Sequence, residues 1–158
     1  VNTSEKNKKK LKIYISRQNT DYRNVVNEDD LIKLLKSKGY RIIDPNAFNI
    51  IEQISFFSNA EVVISPTGSN LANIIFCKPG TKIVEIAPAF KEKYEFNLSK
   101  RYQILSKING LEHSIINADT VKTKKHSVLA KKYINKKVLE ESSYYSDLIV
   151  RINNFNNF

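Results

Sequence analysis

Two short runs hold the residues of this sequence best suited to chemistry. One is Pro66-Thr67-Gly68-Ser69-Asn70, which follows the apolar stretch Val62-Val63-Ile64. Gly68 has no side chain to shield the neighbouring amides. The spacing of Leu71, Ile74 and Ile75 predicts a short helix over 69–76 directly behind the turn. The first N–H groups of a helix lack intrahelical acceptors and carry partial positive charge, so such a turn suits an anion. The Thr67 and Ser69 hydroxyls add hydrogen-bonding capacity. The second run is Ser16-Arg17-Gln18, with Arg23 close by. A guanidinium presents a planar fork of donors that can hold a phosphate through two parallel bonds. Recognition of a phosphorylated ligand is the chemistry these residues could do. An ordinary strand-to-helix turn capped by Ser69, beside a surface arginine, is the alternative.

Elements on either side must position these runs. Residues 11–15 alternate and are rich in β-formers, predicting a strand that delivers Ser16 and Arg17 to its end. Asn27 is placed to cap a helix through Lys38, with Asp29 and Asp30 in its first turn, Leu31, Leu34 and Leu35 inward, and Gly39 as its stop. Residues 40–43 predict a second strand, ended by the Asp44-Pro45 turn. Asn49 and Glu52 have capping-box spacing at the start of a second helix whose inner face is Ile50, Ile51, Ile54 and Phe57. Residues 61–65 form a third strand, apolar enough for cover on both faces, and 82–86 a fourth with Glu85 near its end. Beyond that point, 95–107 reads as helix, 111–116 as strand and 142–152 as a closing helix. Residues 117–137 have no clear pattern.

This β-α-β-α-β-α-β order predicts an α/β fold, a Rossmann-like parallel sheet with right-handed crossovers and helices on both faces. In such sheets ligands sit beyond the carboxyl ends of the strands. Arg17 and the Thr67–Asn70 turn both fall there. Ser16, Gln18, Arg23, Asn27 and Glu85 form a secondary set of candidates.

The 158-residue chain is sized for one domain. Residues 1–10 read as a basic linker or disordered lead-in and 11–158 as the domain. The chain starts at Val1 and contains no Met, so a processed chain or a piece of a longer one is expected. Its net charge of +10 favours anionic partners. Lysines cluster at Lys6–Lys10 and again between Lys122 and Lys137, read as solvated surface rather than a specific nucleic-acid patch. The single cysteine, Cys77, forbids an internal disulfide and reads as a packed thiol. His113 and His126 have no metal-ligand spacing and read as surface or structural residues, and no metal site is expected. No apolar run is long enough to span a bilayer. A cytoplasmic location, with peripheral contact to the inner membrane face, is the expectation.

An ordered set of these residues resembles glycosyltransferase family 61, the family of capsular-polysaccharide-type transferases and their relatives. The set runs from Ile13-Tyr14-Ile15-Ser16-Arg17 through Arg23, Asn27-Glu28, Gly39-Tyr40 and Asp44-Pro45. It continues with Glu52-Gln53, Ala60-Glu61-Val62-Val63, Pro66-Thr67-Gly68-Ser69-Asn70-Leu71-Ala72-Asn73, Phe76, Pro79-Gly80-Thr81 and Val84-Glu85-Ile86. Together these cover about residues 11–88. The family usually has His where this chain has Thr67, and Ala where it has Ser69.

The resemblance implies the donor-binding C-terminal half of an inverting transferase of GT-B architecture. Its substrate would be a nucleoside-diphosphate sugar, with no further cofactor. Arg17, Thr67, Gly68, Ser69, Asn70 and Asn73 would hold the donor. A glycan acceptor would come through a missing N-terminal domain, and the fragment alone would be inactive. Two other readings stay open: a non-catalytic basic module for nucleic acid or anionic surfaces, and a degenerate transferase fold kept for protein interaction.

Overall fold

The computed structural model describes residues 10–18, 20, 22–89, 93–121 and 146–158, with backbone alone over 93–99. Apart from Lys10, both lysine clusters lie outside these residues, as does His126. The described strands are β1 (Leu11–Ile15), β2 (Arg41–Ile43), β3 (Ala60–Pro66), β4 (Lys82–Pro88), β5 (Glu112–Val121) and β6 (Asp147–Ile149). They form one sheet of order β2-β1-β3-β4-β5-β6. Every pairing is parallel except β5 with β6. The α-helices are α1 (Glu28–Ser37), α2 (Ile50–Ser58) and α3 (Lys93–Ile108).

Period-two alternation splits the strand side chains between two cores. Ile13, Ile15, Val63 and Ile83 face α2, α3 and the segment Ser69–Phe76, packing with Phe57, Leu71, Ile74 and Tyr102. Tyr14, Ile64, Val84 and Ile86 face α1 and the chain end, packing with Leu31, Leu35, Leu148, Val150 and Phe155. Both faces are thus covered, as the apolar strands require.

Order 2-1-3 puts the topological switch point between β1 and β3. The chain leaves β1 toward β2 and returns on the other side of β1 as β3. At such a point the flanking crossovers diverge to opposite faces and leave a crevice beyond the strand ends. Arg17 and Gly68 lie on its two sides.

Several local expectations need correction. The short helix expected over 69–76 forms with those bounds, as a 3-10 helix at Ser69–Phe76. Its crowded β-branched pair Ile74-Ile75 and short length favour no long α run. Asn27 stands at the N-cap position of α1, but its side chain makes no cap bond. Instead Asn27 Nδ2 donates to the Val150 carbonyl at 2.8 Å and Asn27 Oδ1 accepts from Val150 N at 3.1 Å. The capping box at Asn49 and Glu52 forms as expected. Of its predicted inner face, however, Ile50 and Ile51 are 54% and 70% exposed, and Phe57 carries the burial. The fifth strand runs on to Val121. The predicted closing helix is instead β6 and a 3-10 turn at Ile152–Phe155, its first residues lying outside those described. Tertiary pairing of β6 with β5 and with the loop after β1 overrides its local pattern.

Candidate functional site

β1 and β3 are adjacent and in register, with Tyr14 opposite Ile64. Their carboxyl ends therefore deliver Arg17 and Thr67 side by side. Thr67 is buried, and its amide donates to the Ile86 carbonyl of β4 at 2.8 Å, extending the β3–β4 ladder by one bond. The chain then turns at Gly68, where the Leu71 amide donates to the Gly68 carbonyl at 3.0 Å. Tyr102 from α3 donates its hydroxyl to that same carbonyl at 2.5 Å. The turn is thus held by its own helix and by α3.

Arg17 lies directly over this turn. A Cβ built on Gly68 would overlap Arg17 Nη1 and stand 3.0 Å from Cζ, so the guanidinium already fills the space beside the Gly68 Cα. Arg17 is 6% exposed, and its Nη2 donates to the Tyr22 carbonyl at 3.0 Å. The Tyr22 ring centroid lies 5.9 Å from Arg17 Cζ and 4.8 Å from Arg23 Cζ, within cation–π range of both. Two arginines of the β1–α1 loop thereby gather around one ring. Arg23 is buried and has a left-handed backbone, φ 55°, a conformation uncommon for a side chain of its size.

Behind the loop stands Glu28, the first residue of α1 and 3% exposed. Its Oε1 accepts from Tyr14 Oη at 2.8 Å and from Arg17 N at 3.0 Å. Burial, and then the Glu28 carboxylate, push the Tyr14 hydroxyl well above its ordinary pKa, so it stays a donor. Glu28 therefore fixes the backbone from which Arg17 projects.

The chain end closes the loop from the other side. Leu148 N donates to Asn24 O at 2.7 Å, and Val26 N donates to Leu148 O at 2.8 Å. The buried Asp147 accepts on Oδ1 from Asn24 N at 2.9 Å and from Asn24 Nδ2 at 3.3 Å.

The remaining candidates divide. Ser69 is exposed and Asn70 partly so at the mouth of the turn. Asn73 donates through Nδ2 to Gln53 Oε1 at 3.0 Å, tying the 3-10 helix to α2. Ser16 Oγ accepts from Gln18 N at 3.3 Å, and Gln18 Nε2 donates to Asp29 Oδ1 at 2.9 Å. Asn27 serves the Val150 clamp. Glu85 lies in the middle of β4, fully buried on the α3 face, with Oε2 3.1 Å from His113 Nε2. It pairs with β5 rather than joining Arg17. Asp44 starts its turn, accepting from Asn46 N at 3.0 Å. Cys77 is a buried thiol pushed up to about 12 by desolvation.

Tyr22, Tyr102, Asp147 and the Glu85–His113 pair carry no motif in the sequence. Tyr102, Asp147 and the Glu85–His113 pair are joined by contacts distant in sequence, which local spacing does not encode, whereas Tyr22 meets Arg17 and Arg23 within its own loop. Glu28 carried one signal, its place beside Asn27 in the ordered resemblance.

The layout is that of a Rossmann-like α/β domain whose polar side chains converge on the β1/β3 switch point. A family model described as Glycosyltransferase 61 matches residues 2–84, just over half of the chain. The chain belongs to glycosyltransferase family 61, and glycosyl transfer is the function that membership supports. The matched stretch holds Arg17, Arg23, Glu28 and Gly68, whereas Asp147 lies outside it. No curated protein matches the chain. Among the described residues, no helix is long and apolar enough to cross a membrane.

Proposed function

We propose that the β1/β3 crevice binds the diphosphate of a nucleoside-diphosphate sugar, and that the chain is the donor-binding part of an inverting glycosyltransferase in glycan or polysaccharide biosynthesis. The observation that carries this reading is the packing of the Arg17 guanidinium over the Gly68 turn at the switch point. A diphosphate bound at the edge of this contact would be within reach of both the guanidinium and the amides that follow Gly68. Arg23, beside the same tyrosine ring, adds a second positive charge. Donors aimed where charge develops, in a water-poor site, are the largest single contributor to many enzymatic accelerations.

In the reaction, an acceptor hydroxyl oxygen bonds to the anomeric carbon from the face opposite the leaving group. The bond from that carbon to the diphosphate oxygen breaks, and its electron pair leaves with the nucleoside diphosphate. Arg17 and the turn amides stabilise that charge. The acceptor proton passes to a base supplied, in this reading, by a companion domain of a GT-B pair. The +10 net charge supports peripheral contact with an anionic membrane surface.

Calorimetric titration of the chain with UDP, GDP and CDP tests the reading. One nucleotide should bind saturably, with affinity reduced about 10- to 100-fold by Arg17→Ala, the loss of one charge-assisted contact pair. No binding at millimolar nucleotide would end the donor-site assignment.

A further inference from the structure

A cleft lined by Gln18, the residue after Arg17, has the opposite chemistry. It is a cleft of about 320 Å³ lined by Gln18, Asn24, Val25, Val26, Glu28, Asp29 and Asp147. Three carboxylates and two carboxamides face a space one residue away from the arginine. That wall repels phosphate. It is also not arranged for a metal ion, since no three His, Cys, Asp or Glu side chains among the described residues are placed to share one. What such a wall does bind is the neutral O–H donor: an ionised carboxylate only accepts hydrogen bonds, and its bonds from hydroxyls are short and strong.

One atom makes the case specific. Glu28 is 3% exposed and its Oε1 accepts from Tyr14 and Arg17, yet among the described residues its buried Oε2 has no hydrogen-bond partner. A buried carboxylate oxygen left unsatisfied costs about 1–3 kcal/mol or more, so native proteins rarely keep one without a reason. A ligand hydroxyl supplies that reason. The rim is built to help, because Gln18 is held by Asp29 and Asn24 by Asp147, which fixes both amides.

We infer that this cleft recognises the vicinal hydroxyls of the donor, with Glu28 Oε2 as the central acceptor. The inference rests on the diphosphate reading for its placement, since hydroxyls within reach of Glu28 would flank a diphosphate held by Arg17. Ribose and the transferred sugar both carry such hydroxyls. Asp147 extends the site to the chain end, beyond the stretch that the family model matches.

Calorimetry on the whole chain with four ligands separates the cases: inorganic pyrophosphate, the preferred nucleoside diphosphate, its 2′-deoxy form and its sugar conjugates. The hydroxyl-bearing ligand should bind at least tenfold more tightly than pyrophosphate. Loss of that advantage in the 2′-deoxy form assigns the ribose. Gain only with a conjugate, and its loss with a deoxy-sugar conjugate, assigns the sugar. Glu28→Gln, which keeps an oxygen for Tyr14 and Arg17 but turns the second position into a donor, should cut the advantage over pyrophosphate at least tenfold. Gln18→Ala, an exposed position, should cut it about threefold without changing the melting temperature. Equal loss for pyrophosphate and nucleotide in Glu28→Gln would overturn the inference, because Glu28 would then act only through Arg17. An unchanged advantage in both variants would overturn it too. Failure of pyrophosphate to bind, with the nucleotide still sensitive to Glu28→Gln, would instead count against the diphosphate cradle and leave the hydroxyl cleft standing.

Discussion

The guanidinium of Arg17 occupies the space that a side chain on Gly68 would need. Gly68 has φ 168° and ψ 171°, extended backbone that any residue adopts, so its requirement for glycine is steric rather than conformational. The obstacle is the far end of a flexible side chain, which can swing aside. Gly68→Ala should therefore cost no more than about 1 kcal/mol of stability in urea denaturation, below the usual range for overpacked cores. The same variant should weaken nucleotide binding about as much as Arg17→Ala does. Unchanged affinity in Gly68→Ala would separate the arginine from the turn.

Asn27 offers a sharper test of a local assignment. Serine caps helices about as well as asparagine. If capping were its role, Asn27→Ser would be silent. The two bonds to Val150 instead predict a loss of about 1 kcal/mol per bond, and hence a melting temperature lower by roughly 4–8 °C for a domain of this size. Thermal scans of Asn27→Ser and Asn27→Ala should agree closely.

The Glu85–His113 pair is expected to be structural. Glu85 is fully buried, with Oε2 on His113 and, among the described residues, no partner for Oε1. His113→Ala strands a buried carboxylate and should cost about 3 kcal/mol or more, as when one member of a buried pair is removed. Replacing both, as Glu85→Leu with His113→Leu, should cost less than His113→Ala alone. Equilibrium denaturation of the two variants checks the order.

Three buried acids predict alkaline sensitivity. Desolvation raises the Cys77 thiol from 9.0 to about 12; desolvation and then Glu61 raise the Tyr40 hydroxyl from 10.0 to about 12, and Tyr14 is raised as well. Below about pH 8 each group is protonated in both folded and unfolded states and has no effect on the balance. Between about pH 8 and 12 the unfolded chain releases protons that the folded chain keeps, so stability falls as pH rises. Denaturation midpoints should be flat from pH 7 to about 8 and then decline, more steeply past pH 10. The Cys77 thiol should react with a disulfide reagent only after unfolding.

Much of this organisation was legible in the residues because it is local. The alternation of strands and amphipathic helices through Ile86, the capping box at Asn49 and Glu52, and the Asp44 turn each follow from spacing within a few residues. The placement of Arg17 beside Gly68 followed from topology, since two strand ends of one parallel sheet must share an edge. What the sequence hid is tertiary. Asn27 looks like a cap until Val150, far along the chain, takes its amide. Residues 147–149 look helical until β5 and the loop at Val25 offer edges to pair with. Glu85 looks like a strand-end residue until the fourth strand extends to Pro88 and buries it mid-strand against His113. Long-range partners decide each of these, and no window of sequence contains them.

In the proposed function the Gly68 turn and Arg17 together hold a diphosphate. Nitrogen–proton correlation spectra of the labelled chain, recorded through a pyrophosphate titration, read that contact residue by residue. Saturable shifts are expected on the Gly68, Ser69 and Asn70 amides and the Arg17 side-chain N–H, abolished by Arg17→Ala. Shifts confined to the lysine-rich segments, or linear drift without saturation at the turn, would contradict it.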